Sequence, residues 1–309
     1  MKRIVKEVLY AKSGKAITEI AGEFLNATIG DKVPTINELE KKYEFYSHGT
    51  IQNALTALKN MGAISLKSLG KKGNFLEDKD DGLLLKFMGV DTIVGCMPLP
   101  YSRRLEGFAT GLLSCLNEHD DIESRLVYTR GAESRVKMLL AGKCDYVIVS
   151  KFAALEMVKE YEDIEIIKEF GYESYVSDHV VLFHDVKINK ISDGMRVGID
   201  EASIDQKRLT ELICKDKNVT LVPLTYNNIL KKVISGEIDC AVWNKDEIFD
   251  KYVNVNYSTI DKDIDDTIAV MMCDKRREYL SKFLDNNFKE AEILKTQKLV
   301  LDNIIVPIY

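Results

Sequence analysis

The sequence predicts an α/β protein built in two parts: a winged helix-turn-helix at the N-terminus and a larger, two-lobed α/β domain behind it. Three observations predict it. Two short helices, each with its own start signal, are followed by a glycine-tipped basic hairpin within the first 76 of 309 residues. The remainder alternates strand-like and helix-like segments, which demands parallel β-α-β units. That alternation occurs twice with matching phrases, so the larger part consists of two similar halves.

The helix starts have a mechanism. Thr35 can cap the first helix while Glu38, three residues on, reaches back to the cap nitrogen, and Pro34 keeps the preceding chain from continuing as helix. Ser47 is a good cap for the second helix. There Ile51, Leu55 and Leu58 recur at the helical period and face a small core. The opposite face carries His48, Gln52, Asn53, Thr56 and Lys59. Gln and Asn near a helix N-terminus suit base-edge readout in the major groove, although the same positions also read as a solvated face. Tyr43, Phe45 and Tyr46 flank the turn and read as core.

The wing comprises residues 63–69 and 74–76 around Gly70-Lys71-Lys72-Gly73. Glycine supplies the backbone angles of a tight hairpin. Lys71 and Lys72, with Lys67 nearby, suit contact with phosphates. Residues 1–76 carry 12 Lys and Arg against 7 Asp and Glu, whereas the whole chain has a net charge of −6. Such an asymmetry points to nucleic acid as the partner of the N-terminal part. The candidate DNA-contacting residues are Thr35, Ser47, His48, Thr50, Gln52, Asn53, Lys67, Lys71 and Lys72, and the expected partner is a double-stranded operator read by a homodimer.

At these residues the chain resembles the GntR-like winged-helix regulators, and in particular the YhfZ family, in which such a reader precedes a two-lobed domain. The matching phrases are Pro34-Thr35-Ile36-Asn37-Glu38-Leu39 and Ser47-His48-Gly49-Thr50-Ile51-Gln52-Asn53-Ala54-Leu55. Asn37, His48 and Gln52 stand where arginine is common in GntR-like proteins, and the turn is one residue longer. The resemblance therefore implies the fold of the reader and carries no operator sequence with it.

Composition bounds the rest. A hydrophobic content of 46% supports sizeable cores, and the length suits two or three domains. No run of 18 apolar residues is present, so no membrane partner is expected. The Met-Lys-Arg start lacks an apolar stretch behind it, which predicts no signal peptide and a cytoplasmic location. Cys96, Cys115, Cys144, Cys214, Cys240 and Cys273 are scattered in apolar runs and read as reduced core residues. The four histidines have no metal-ligand spacing, and neither metal nor cofactor is expected. The predicted division is residues 1–78 as the DNA-binding domain, 79–91 as a connector, and 92–309 as a two-lobed effector-binding domain. The apolar run at 83–88 reads as packing against the next domain or a second subunit.

In the larger part, a strand at 92–95, a helix at 104–117, a strand at 123–128, a helix at 133–141 and a strand at 143–149 form the first half. The second repeats it with a strand at 196–200, a helix at 204–214, a strand at 219–223, a helix at 226–235 and a strand at 239–243. Strand-like stretches at 180–183 and 267–272 join the halves. The echo is plainest between Val94-Gly95-Cys96 and Val197-Gly198-Ile199, and between Gly142-Lys143-Cys144-Asp145 and Gly236-Glu237-Ile238-Asp239. This arrangement resembles the type II periplasmic-binding-protein fold, which implies a small-molecule site between two lobes. In such sheets ligands lie beyond the C-terminal strand ends, at helix N-termini. Candidate ligand-binding residues are Tyr101, Ser102, Arg103, Arg104 and Ser150 in lobe one. Those in lobe two are Ser203, Asp205, Gln206, Trp243 and Asn244. The arginines suit bidentate capture of an anion, and the single tryptophan suits a flat wall. The expected effector is therefore small and anionic. Two alternatives stay open: a lobed domain that only dimerises, and an enzyme using Cys96 or a Glu106–Arg103 pair. No base is placed near Cys96 by any local pattern, and no enzymatic activity is expected.

Overall fold

A computed structural model of the protein describes residues 12–116, 122–250, 255–260 and 264–309. It separates into two compact units, the first formed mainly by the chain up to Ile93 and the second by most of the chain beyond that residue.

Among the described residues the first unit holds helices α1 (Lys12–Asn26), α2 (Ile36–Lys42) and α3 (His48–Asn60), then strands β1 (Ile64–Ser68) and β2 (Asn74–Lys79) and helix α4 (Asp81–Phe87). Helix α1 is not legible from start signals. Its Ala16, Ile20 and Phe24 recur every four residues and are buried against α3, whose Ile51, Ala54 and Leu58 are buried in turn. Leu55 is only half-buried, and Phe45 is 84% exposed, so of the turn aromatics Tyr46 alone joins the core. The wing is an antiparallel hairpin whose tip, Gly70–Lys72, is a single 3-10 turn with Gly70 and Gly73 at positive φ. Segment 30–33 adds a short third edge through Val33 N to Asn74 O and Leu76 N to Asp31 O, both 2.9 Å.

The end of the wing and the stretch expected as a connector, residues 79–91, are shared between elements. Residues 77–79 finish β2, and Asp80 caps α4 by accepting from Leu83 N at 2.9 Å. Helix α4 buries Leu84 and Leu85 and packs on α1 within the same unit, where the Thr18 hydroxyl donates to Phe87 O at 3.1 Å. The apolar run at 83–88 is thus satisfied inside the first unit.

The second unit contains two five-stranded sheets. Lobe one holds β3 (Thr92–Met97), α5 (Arg103–Leu116), β4 (Glu123–Tyr128), α6 (Ala132–Leu140), β5 (Tyr146–Ser150), α7 (Lys151–Glu160) and β6 (Ile164–Glu169). The chain then crosses through β7 (His179–Phe183) into lobe two. There it forms β8 (Arg196–Ile199), α8 (Ile204–Ile213), β9 (Thr220–Pro223), α9 (Tyr226–Ile234), β10 (Cys240–Asn244), α10 (Lys245–Asp250) and β11 (Asn256–Thr259). It returns through β12 (Ala269–Asp274) and ends with α11 (Glu278–Asn287) and α12 (Glu290–Leu301).

The sheet orders are β4-β3-β5-β12-β6 and, read from the matching edge, β9-β8-β10-β7-β11. β3 runs parallel to β5, β8 runs parallel to β9 and β10, and each sheet has one antiparallel strand, β12 or β7, inserted from the other half. The sequence echo has a physical cause in these sheets. Asp145 accepts from Val94 N at 2.7 Å and Asp239 accepts from Arg196 N at 2.7 Å, so each aspartate locks one parallel strand to the next. Arg277 pairs with the first and Arg196 with the second.

Helix α5 lies against α12 with Gly107 and Gly111 at the contact. A Cβ at Gly111 would stand 2.9 Å from Ile293 Cα. Gly111→Ala therefore forces the two helices apart, and the expected cost is about 1–3 kcal/mol, read as a lowered chemical-denaturation midpoint. An unchanged midpoint would mean the two helices separate freely.

Candidate functional site

Two places gather chemistry-bearing side chains. On the first unit, Thr35 and Glu38 form the reciprocal cap of α2: Thr35 N donates to Glu38 Oε2 at 2.7 Å and Glu38 N to Thr35 Oγ1 at 3.3 Å. Thr35 N and the Thr35 hydroxyl, which donates to Glu38 Oε2 at 2.8 Å, hold the Glu38 carboxyl below its ordinary value. Ser47 caps α3 by accepting from Thr50 N, and its hydroxyl lies 3.0 Å from that of Thr50. The side chains of Thr35, Ser47 and Thr50 are therefore engaged in starting the helices. His48, Gln52 and Asn53 are exposed on the face of α3 opposite Ile51 and Leu58. Lys67 is exposed on β1, and Lys71 and Lys72 are exposed at the wing tip. The helix face and the wing tip together offer two amide side chains and three ammonium groups.

The second place is a cavity of about 110 Å³ between the two lobes of the second unit. Of the residues expected there, Tyr101, Ser203, Asp205, Gln206, Trp243 and Asn244 line it. Ser150 lies just behind the wall, its hydroxyl 2.8 Å from Asp205 Oδ1. Ser102 is buried and caps α5 through Leu105 N. The two expected arginines are elsewhere. Arg103 turns to the end of α12, donating to Val300 O at 2.9 Å and Asn303 Oδ1 at 3.0 Å. Arg104 donates to Glu173 O at 2.6 Å and pairs with Asp246 at 3.1 Å. Both are consumed by structural acceptors distant in sequence. Gln206 also has a structural task, bonding Asp200 N at 2.7 Å and Gly198 O at 3.1 Å. Trp243 is 2% exposed and stacks on Tyr226 with ring centroids 4.2 Å apart, and Tyr226 in turn stacks on Tyr101 at 5.8 Å. The aromatic wall is that three-ring stack.

The arginines that do line the cavity are Arg130 and Arg135, which come after β4. Arg130 pairs with buried Asp200 at 2.5 Å. Arg135 is 2% exposed; Nη1 donates to Thr129 O at 2.8 Å and Nη2 faces the Tyr175 hydroxyl at 3.4 Å. Its Nε is buried without a partner, and among the described residues no carboxylate lies within ion-pair distance. Helix α6 begins beside it at Gly131, a cap residue with no side-chain bond to the first turn. The rule that points to strand ends applies equally to the loop after residues 123–128, and the phrase Thr129-Arg130-Gly131 is the available signal.

In the same lining Asp205 accepts, among the described residues, only from Ser150, and burial pushes its carboxyl up to about 6. His179 Nδ1 lies 2.8 Å from Asp266, and Glu247, 1% exposed, accepts from the Tyr226 hydroxyl at 2.6 Å. Cys96 is fully buried in the lobe-one core and is not part of the lining. Among the described residues no group of His, Cys, Asp or Glu has metal-binding geometry, and no helix is long and apolar enough to cross a membrane.

Comparison with known proteins accounts for both parts. Residues 80–309 match the YhfZ C-terminal domain, and residues 28–76 match a helix-turn-helix domain. The chain is 32% identical over 240 residues to the YhfZ protein of Escherichia coli (strain K12), covering 78% of this chain and 77% of that one. The crystal structure of YhfZ from Shigella flexneri superposes with a TM-score of 0.61 at 28% identity, covering 74% of this chain and 97% of that one. Two binding proteins share the fold at 12% identity. The substrate-binding protein of a methionine transporter from Streptococcus pneumoniae has a TM-score of 0.53, covering 71% of this chain and 96% of its own. The aliphatic sulphonate binding protein SsuA from Escherichia coli has 0.52, with 69% and 75%. The second unit thus has the type II periplasmic-binding-protein architecture, and the chain, a helix-turn-helix joined to that architecture, belongs to the YhfZ family.

Proposed function

We propose that the chain is a sequence-specific, DNA-binding transcriptional regulator, acting in the cytoplasm as a homodimer, whose two-lobed unit holds a small anionic effector. The observation that carries the effector reading is Arg135. A buried guanidinium without a carboxylate is costly, by several kcal/mol, and an anion in the cavity compensates it. The uncapped start of α6 beside it adds backbone donors aimed at the same charge. DNA reading is supported by the exposed Gln52 and Asn53 on α3 and by the lysines of the wing. A dimer of such readers suits two half-sites about one helical turn apart. Regulation results if the effector prefers one arrangement of the lobes, because a ligand that binds two states equally shifts nothing.

Replacing Lys71 and Lys72 together with alanine should weaken binding to all DNA sequences alike. The dependence of log K on log salt should fall by about 2, near one per lost phosphate contact. An unchanged slope overturns the wing contact. Gln52→Ala should leave the melting temperature nearly unchanged and remove about 1–3 kcal/mol of discrimination at one base position. Unchanged base preference overturns its assignment to the groove.

For the effector, a thermal-shift screen of small carboxylates and phosphates should find one that stabilises the protein. At 100 times its dissociation constant the gain is about 2.7 kcal/mol. Arg135→Gln should abolish that gain, and Arg103→Ala should retain it. Stabilisation that survives Arg135→Gln overturns the anion site.

A further inference from the structure

The cavity has a second pole, and it is of the opposite sign. Asp205 stands at the start of α8 on lobe two, and both of its oxygens share a single donor, the Ser150 hydroxyl at 2.8 and 2.9 Å. No cation lies within ion-pair distance of it among the described residues. The other carboxylates of the lining are occupied. Asp200 receives Arg130, Ala202 N and Tyr226 N, and Glu247 receives the Tyr226 hydroxyl. Arg135 and His179 line the cavity together with Asp205, and His179 is bound to Asp266 at 2.8 Å. One guanidinium and one carboxylate thus line the same cavity, neither neutralised by a contact of its own.

Resting on the reading of the cleft as an effector site, we infer that the effector is a compact zwitterion, an amino acid with a short side chain. Its carboxylate binds Arg135 and the start of α6, and its ammonium binds Asp205. A free ammonium supplies three donors, which match a carboxylate left with one hydroxyl partner. The two charges of the ligand complete both poles at once and add no net charge to the cavity. A cavity of about 110 Å³ suits a small molecule.

The test compares matched ligands on the full-length protein by isothermal titration. Alanine and serine are set against lactate and glycerate, which keep the carboxylate and exchange the ammonium for a hydroxyl. The inference expects an amino acid to bind at least about tenfold more tightly than its hydroxy acid, the scale of a lost charged hydrogen bond. It also expects Asp205→Asn, close to isosteric, to erase that preference. Equal affinity for the two ligand series, unaltered in Asp205→Asn, overturns the zwitterion and leaves the anionic effector standing. Binding by neither series, with no anion stabilising the protein in the wider screen, overturns both. The ligand comparison uses the unsubstituted protein, so it decides even where a variant folds poorly.

Discussion

The architecture of the second unit depends on one constraint: the chain passes between the lobes twice, and each time the crossing strand becomes an interior strand of the sheet it enters. β7 lies between β10 and β11, and β12 lies between β5 and β6, with every residue of both strands buried. Neither lobe can form its sheet without a strand delivered from the other half. The crossing strands also start side by side. Tyr175 N donates to Thr267 O at 2.8 Å, and His179, the first residue of β7, meets Asp266 just ahead of β12. Any rotation of one lobe against the other has to be absorbed by these few residues, which is how hinged domains move. His179 lines the cavity, so a bound molecule sits against the hinge itself.

That placement explains why so many of the cavity's polar groups are tied across the cleft. Arg130 on lobe one holds Asp200 on lobe two at 2.5 Å, Ser150 holds Asp205, and the Tyr101 hydroxyl donates to Asn227 at 2.9 Å. Arg104 adds a fourth bridge to Asp246 at 3.1 Å. Each is a hydrogen bond that water would satisfy in an open cleft, so each contributes modestly to closure by itself. Arg135 and Asp205 differ in kind, because what they lack in the closed cleft a ligand can provide. On the proposed effector reading, a ligand that supplies both would gain the differential affinity for the closed arrangement that a switch requires.

The sequence disclosed the fold wherever local signals decide structure. The caps at Thr35 and Ser47, the glycine-tipped wing and the repeated Gly-x-x-Asp phrase all lie where these signals indicate, because each is satisfied by atoms a few residues away or by one neighbouring strand. Helix α1 escaped because it has no capping signal within the described residues, only the spacing of Ala16, Ile20 and Phe24. The candidate site was less legible, for a related reason. An arginine in a first helical turn can reach a ligand or a distant acceptor, and Arg103 finds the end of α12, almost 200 residues on, at Val300 O. No local pattern encodes that contact. Trp243 reads as a wall in one dimension, but its face is covered by Tyr226. Arg135 could have been found, since it lies one helical turn beyond a strand end, yet its want of a carboxylate is a property of the packed cavity alone.

The signs of the lining groups bear on what the cavity rejects as well as on what it accepts. Asp200, Asp205 and Glu247 surround the same small volume as Arg130, Arg135 and His179. A dianion placed on Arg135 would bring its second charge up to Asp205 or Glu247, where repulsion is strong because little water is left to screen it. A cation placed on Asp205 would face Arg135 in the same way. In the proposed effector site, selectivity would then arise from paired opposite charges, each excluding the ligand that the other alone would admit. The Tyr101–Tyr226–Trp243 stack forms the aromatic wall beside these charges.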